Sequence, residues 1–197
     1  RDIHDLVLKT RGVDIDYWNL PMDDGPTLDM FAKGDLLGVF QFQKSFGMAN
    51  ICRKAPVEKF LDIVHLNALY RPAAMRSGMA DEYLNNRSGR TRPRPVHPIF
   101  DDIVKDTHGI IIYQEQIMWL FSRMAGFPAT RVDEGRKLIA KSHGVEAFDR
   151  LYPEFRDGCV NHSGIENEKF IQDIWSKIRH SGSYTFNLSH SVAYSLL

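Results

Sequence analysis

The sequence predicts a mainly helical protein with a few short β-strands, an α+β fold, and three observations carry that prediction. Apolar residues recur at helical spacing through most of the chain after residue 45. Two short runs, residues 37–42 and 109–113, are apolar, aromatic or β-branched and have the length of strands. Clusters of Gly, Pro and Ser separate these segments at short intervals. With 43% hydrophobic residues among 197, there is enough apolar material for one sizeable core or two small ones.

Taken in order, residues 2–12 read as a short helix, and the alternation Asp14-Ile15-Asp16-Tyr17-Trp18 leads into the turn-rich residues 20–26. Residues 1–34 therefore read as a connector and residues 35–197 as the body. Thr27 can cap a brief helix that ends at Lys33, and Leu37-Gly38-Val39-Phe40-Gln41-Phe42 reads as a buried strand. Helical periods follow: Phe60, Ile63, Val64 and Leu66, then Tyr83 and Leu84, then Ile99 and Ile103. Between residues 86 and 97, Arg87, Arg90, Arg92 and Arg94 stand among Gly and Pro on a predicted loop, the densest cationic patch of the chain.

The β-branched residues 109–113 predict a strand feeding a helix whose Ile117, Leu120, Phe121 and Met124 form one stripe. Thr130 can cap the next helix, where Gly135 costs about 1 kcal/mol relative to alanine and so implies a close neighbour or a ligand. Helices over 145–161 and 166–179 follow, the latter with Phe170, Ile174 and Ile178 in register. There is no internal repeat and no low-complexity tract.

Composition narrows the functional classes. Lysine plus arginine equals aspartate plus glutamate at 25 each, so a nucleic-acid site has to be local. Cys52 and Cys159 are far apart without metal-ligand spacing, which suits two core residues of a cytoplasmic protein. No apolar run approaches the roughly 18 residues of a membrane span, so no membrane partner is expected. The start Arg1-Asp2-Ile3-His4 and the apolar end at Leu197 read as cuts in a longer chain. No GxSxG elbow points to a hydrolase.

Several clusters could carry chemistry. Lys137 and Lys141 share a helix face with Arg136 beside them, so three cations can converge on an anion such as a triphosphate; a solvated face has the same spacing, and spacing alone favours it. Residues 184–194 place Asn187, His190, hydroxyls and aromatic rings around a helix start expected at Ser189, where free N–H groups attract anions; an N-cap serine with a hydrogen-bonded histidine is the plainer reading. Arg71 and Arg76 bracket a turn after Tyr70, and Tyr113-Gln114-Glu115-Gln116 forms a further polar cluster. Asp14 and Asp16 could hold a metal on one side of a strand, but a polar edge strand or a turn is the favoured reading.

The ordered motifs Gly38-Val39-Phe40-Gln41-Phe42, Ala68-Leu69-Tyr70-Arg71-Pro72, Arg76-Ser77-Gly78-Met79, Gly109-Ile110-Ile111-Ile112-Tyr113-Gln114-Glu115-Gln116, Arg136-Lys137 with Lys141, and Phe186-Asn187 with Ser189-His190-Ser191 and Tyr194 resemble the bacterial DNA polymerase III alpha subunit, the C family of DNA polymerases. The resemblance covers residues 20–197. It implies the first part of the helical fingers, entered through a palm-to-fingers connector over residues 1–34. It also implies that Arg136, Lys137, Lys141, Asn187, His190, Arg71 and Arg76 bind the incoming dNTP, and that Arg87, Arg90, Arg92 and Arg94 contact DNA. The partners it implies are primer-template DNA, dNTP and the palm and thumb of the same polymerase. Catalytic aspartates and Mg²⁺ belong to the palm in that family, so no catalytic residue and no metal ligand is expected here, and no activity from this piece alone.

Departures from the family pattern are specific. Leu188 and Ser142 stand where the family usually has lysines, Ala140 replaces a glycine, Pro72-Ala73-Ala74 replaces Pro-Gly-Pro, and Gln43-Lys44 replaces Glu-Ser. At about 1.5–3 kcal/mol per sheltered charged contact, two missing cations weaken nucleotide binding by one to a few orders of magnitude unless another basic residue substitutes. The departures mark a divergent member, phage-encoded or an inactive paralogue. They keep open a second reading, a non-catalytic nucleic-acid-binding or interaction module derived from the same fold.

Overall fold

Caps and proline positions divide the chain into short helices. The structure, a computed structural model, describes residues 2–43, 46–140 and 148–197. Among them are α1 (Asp2–Arg11), α2 (Gly25–Lys33), α3 (Phe46–Lys54), α4 (Phe60–Leu69), α5 (Pro72–Arg76), α6 (Met79–Arg87), α7 (Pro98–Val104), α8 (Gln114–Arg123), α9 (Ala129–Ala140), α10 (Tyr152–Ser163), α11 (Glu168–Gly182) and α12 (Leu188–Leu196). Proline lies in the first turn of α2, α5, α7 and α10, where its missing N–H has no helical partner to lose. Asp24, not Thr27, caps α2 by accepting the Thr27 N–H at 2.9 Å. Thr130 lies inside α9.

The helices enclose two cores. Phe31, Met48, Ile63, Tyr83 and Ile112 belong to the first, and Leu120, Phe121, Phe155, Ile174 and Trp175 to the second. The extended residues 110–113 form the wall between them. Successive side chains of an extended segment point to opposite sides, so Ile110 and Ile112 enter the first core and Ile111 the second. Cys52 and Cys159 are buried and unpaired, and burial pushes their thiols up to about 11 and about 12. His65, buried with its Nδ1 3.0 Å from the Tyr83 hydroxyl, is pushed down to about 4 by the same cause, so it is neutral in the core.

Neither predicted strand forms. Residues 37–42 are successive turns, because Gly38 and Gln41 take positive φ of 82° and 66° and the backbone closes locally through Val39 N to Leu36 O and Phe42 N to Val39 O. Only its end is core: Phe42 is buried while Leu37 is 93% exposed. Residues 110–113 are extended, but a buried side chain stands in for a neighbouring strand. Gln116 Oε1 accepts the N–H groups of Ile112 and Tyr113 at 2.8 and 2.9 Å, and its Nε2 donates to Ile103 O and Thr107 Oγ1. Among the described residues a single parallel β-bridge remains, Tyr113 with Phe186.

Gly135 has its close neighbour. A Cβ there would lie 2.5 Å from the fully buried Phe121 ring, so glycine lets α9 press onto α8. Residues 145–147 of the predicted 145–161 helix lie outside the described residues, residues 150 and 151 form a turn, and α10 covers the prediction from Tyr152 onward. Asp14 and Asp16 serve separate local contacts: Asp14 accepts from His4 Nε2 at 2.8 Å, while Asp16 closes a turn on the N–H of Trp18 and the amide of Asn19.

The arginine-rich loop is one arginine shorter than the sequence suggests. Arg87 ends α6 and turns inward, donating Nη2 to Asp62 Oδ2 at 2.8 Å and to Pro56 O at 2.6 Å, with only 11% and 2% of the two charged side chains exposed. Asp62 in turn accepts the N–H groups of Glu58 and Lys59 at the start of α4. Removing one partner of a buried pair strands the other charge, which costs about 3–5 kcal/mol. Arg87→Ala is therefore expected to lower the stability by about 3 kcal/mol, read as the urea midpoint at unchanged slope; an unchanged midpoint would contradict the burial of the pair.

Candidate functional site

The first turn of α12 is built from three directions. The preceding residues are stitched to the wall between the cores: Phe186 N donates to Ile112 O, and Gln114 N to Phe186 O, both at 2.9 Å. Asn187 then caps α12, its Oδ1 accepting the His190 N–H at 2.8 Å and the Ser189 hydroxyl at 2.7 Å. The helix thus starts one residue earlier than the sequence suggests, and Ser189 is not its cap. Glu115 Oε2 takes the Leu188 N–H at 2.9 Å. Further along, the buried Ser191 hydroxyl donates to Val64 O at 2.7 Å and fixes α12 against α4.

Arg71 supplies the third direction. Its Nε donates to Ala68 O at 2.7 Å and its Nη2 to Tyr184 O at 2.9 Å, while its guanidinium lies 4.2 Å from the centre of the Phe186 ring. The cation therefore locks the approach to α12 as much as it offers charge.

Along α12 the rings continue as a ladder. Phe186 meets the exposed His190 edge-on at 5.2 Å, His190 meets Tyr194 at 4.2 Å, and Tyr194 stacks on Phe40 at 5.4 Å. Phe40, read from the sequence as a strand residue, is 47% exposed and completes that face. The turns at Gly38 and Gln41 turn it outward, a placement that alternation alone could not reveal.

The cations of α9 form a second group. Asp133 Oδ1 accepts Arg136 Nε and Nη2 at 3.0 and 2.7 Å, and its Oδ2 accepts Lys137 Nζ at 2.8 Å. Lys137, and then Arg136, hold the Asp133 carboxyl below the usual carboxylate range. The i,i+3 and i,i+4 spacing of Asp133 to the two cations was the available sequence signal for this carboxylate. Lys141 and Ser142 lie outside the described residues. The C-terminal part of α9 adjoins the end of α11, where a Cβ on Gly182 would lie 3.9 Å from Ile139, and the chain runs from there into residues 184–187. Among the described residues no hydrogen bond or ion pair joins Arg136 or Lys137 to α12.

The remaining cations sit apart from both groups. Arg76, at the end of α5, is exposed. Arg90, Arg92 and Arg94 are exposed on the loop after α6, and Arg92 and Arg94 line a cleft of about 540 Å³ with Asn85, Thr91 and Lys177. Among the described residues no three His, Cys, Asp or Glu side chains converge as a metal site.

Comparison with known proteins decides the family. A model of the bacterial DNA polymerase III alpha subunit finger domain matches residues 1–163. The chain belongs to that family. Finger-domain relatives include the DNA polymerase III subunits alpha of Aquifex aeolicus, 35% identical over 98% of this chain, Halalkalibacterium halodurans, 38% over 97%, and Bacillus subtilis, 33% over 99%. The chain spans 16–17% of the length of these relatives. Among the described residues no helix is long and apolar enough to cross a membrane.

Arg71→Ala removes two hydrogen bonds and the stacked cation from the base of α12. It is expected to cost about 2–3 kcal/mol in urea unfolding, and Arg71→Lys, which cannot reproduce the fork, to restore less than half of that. Full rescue by lysine would show that only the charge matters.

Proposed function

We propose that this finger-domain chain binds the incoming dNTP and the primer-template DNA of a bacterial replicative polymerase. Arg136, Lys137 and Lys141 meet the triphosphate, and Asn187, His190 and the adjoining ring ladder meet the sugar and base. Arg71 orders that surface, and the exposed Arg76 at the end of α5 is a further nucleotide contact. Arg90, Arg92 and Arg94 contact DNA phosphates, with Arg87 anchoring the base of their loop to Asp62. The palm and thumb of the polymerase, together with Mg²⁺ held outside this chain, supply the chemistry in the cytoplasm. The part this chain plays is positioning and charge neutralisation, on which phosphoryl transfer largely depends.

The observation that supports this reading most is the clustering of Arg71, Phe186, Asn187 and His190. These residues come from motifs more than a hundred positions apart, and direct contacts bring them to one exposed helix start. Exposed rings beside cations suit nucleobases and phosphates together. Leu188 favours weak binding, since its side chain packs toward the first core where the family has a lysine.

Titration of labelled primer-template DNA, with and without the complementary dNTP, tests the two halves separately. Arg136→Ala with Lys137→Ala is expected to weaken the dNTP-dependent step tenfold or more. Arg92→Ala with Arg94→Ala is expected to weaken DNA binding and lower its salt slope by about 2. Binding unchanged in both pairs would overturn the proposal.

A further inference from the structure

The acceptor shared by Arg136 and Lys137 has a consequence for what α9 can bind. Asp133 gives one carboxylate oxygen to each cation, and the three side chains remain 44%, 35% and 59% exposed respectively. No other element holds this carboxylate among the described residues. The contrast on the same helix is Arg131, whose guanidinium is taken by Glu134 and by Glu154 of α10 and so ties two helices together. Displacing Glu154 would loosen a helix contact, whereas displacing Asp133 would cost only local ion pairs. A phosphate group offers the same charged oxygen acceptors to the same donors.

We propose that Asp133 is an internal counter-anion that an incoming triphosphate displaces. It holds Arg136 and Lys137 converged while no nucleotide is present, and it limits affinity by the one fixed negative charge that must be exchanged. This rests on the reading of Arg136 and Lys137 as phosphate ligands. Two effects follow. Removing the carboxylate tightens binding of any polyphosphate that engages both cations. It also leaves them to gather mobile counterions, whose release makes binding fall more steeply with salt.

Calorimetric titration of the 197-residue chain with dATP and with inorganic tripolyphosphate, over a series of salt concentrations, tests this directly. Asp133→Asn is expected to bind both roughly three- to tenfold tighter at low salt, the range of one or two exposed ion pairs, with a steeper dependence on salt. Asp133→Glu retains a carboxylate within reach and is expected to behave as the unaltered chain. Weaker or unchanged binding by Asp133→Asn, with helicity preserved by circular dichroism, overturns the proposal, because a carboxylate that only positions the cations would lower affinity when lost. The double variant Arg136→Ala with Lys137→Ala separates the two layers. If it binds tripolyphosphate as well as the unaltered chain, the phosphate reading fails and Asp133 falls with it; if it binds more weakly while Asp133→Asn is not tighter, only the counter-anion proposal falls.

Discussion

A two-bond backbone clasp at Phe186 organises this molecule. Phe186 exchanges hydrogen bonds with Ile112 and Gln114 on the wall between the two cores, tying the C-terminal helix to the body more than seventy residues upstream. Buried backbone groups need partners, and an extended wall without a sheet has few to offer. Gln116 satisfies the N–H groups of Ile112 and Tyr113, and Phe186 N–H satisfies the carbonyl of Ile112. Beside it on the α12 face lie the Asn187 cap, the Arg71 lock onto Tyr184, and the contact of Ser191 with α4.

The same clasp explains where the sequence was legible. Helices were readable because apolar periodicity, proline entry points and capping amides act over a few residues, as in α8 and α11. The two strands were misread because β-branched and aromatic content shows that a segment is buried or extended, not which partner takes its hydrogen bonds. For residues 110–113 the partner is a glutamine side chain, and for 37–42 positive φ at Gly38 and Gln41 breaks the run altogether. Family motifs singled out Arg71, Asn187 and His190, whose meeting depends on contacts across more than a hundred residues. They could not show that Arg71 spends its donors on carbonyls, that Arg87 faces Asp62, or that Phe40 ends an exposed ring ladder.

Charge on this chain is therefore less available than its count suggests. Arg87 is consumed in a buried pair, Arg131 in a helix contact, and Arg136 and Lys137 share one carboxylate. Cations held in this way are already oriented, so less rotamer freedom is lost when an anion arrives, and each must first give up a partner. Affinity on such a surface is a difference between two sets of ion pairs.

Native-state hydrogen exchange tests the clasp most directly. If it is the constraint on which the α12 face depends, the amides of Phe186 and Gln114 open with the same free energy as Phe121 in the buried stripe of α8. If Phe186 instead exchanges as fast as the amides of the exposed α1, the C-terminal helix is not held in this way and the surface assembled on it would not persist.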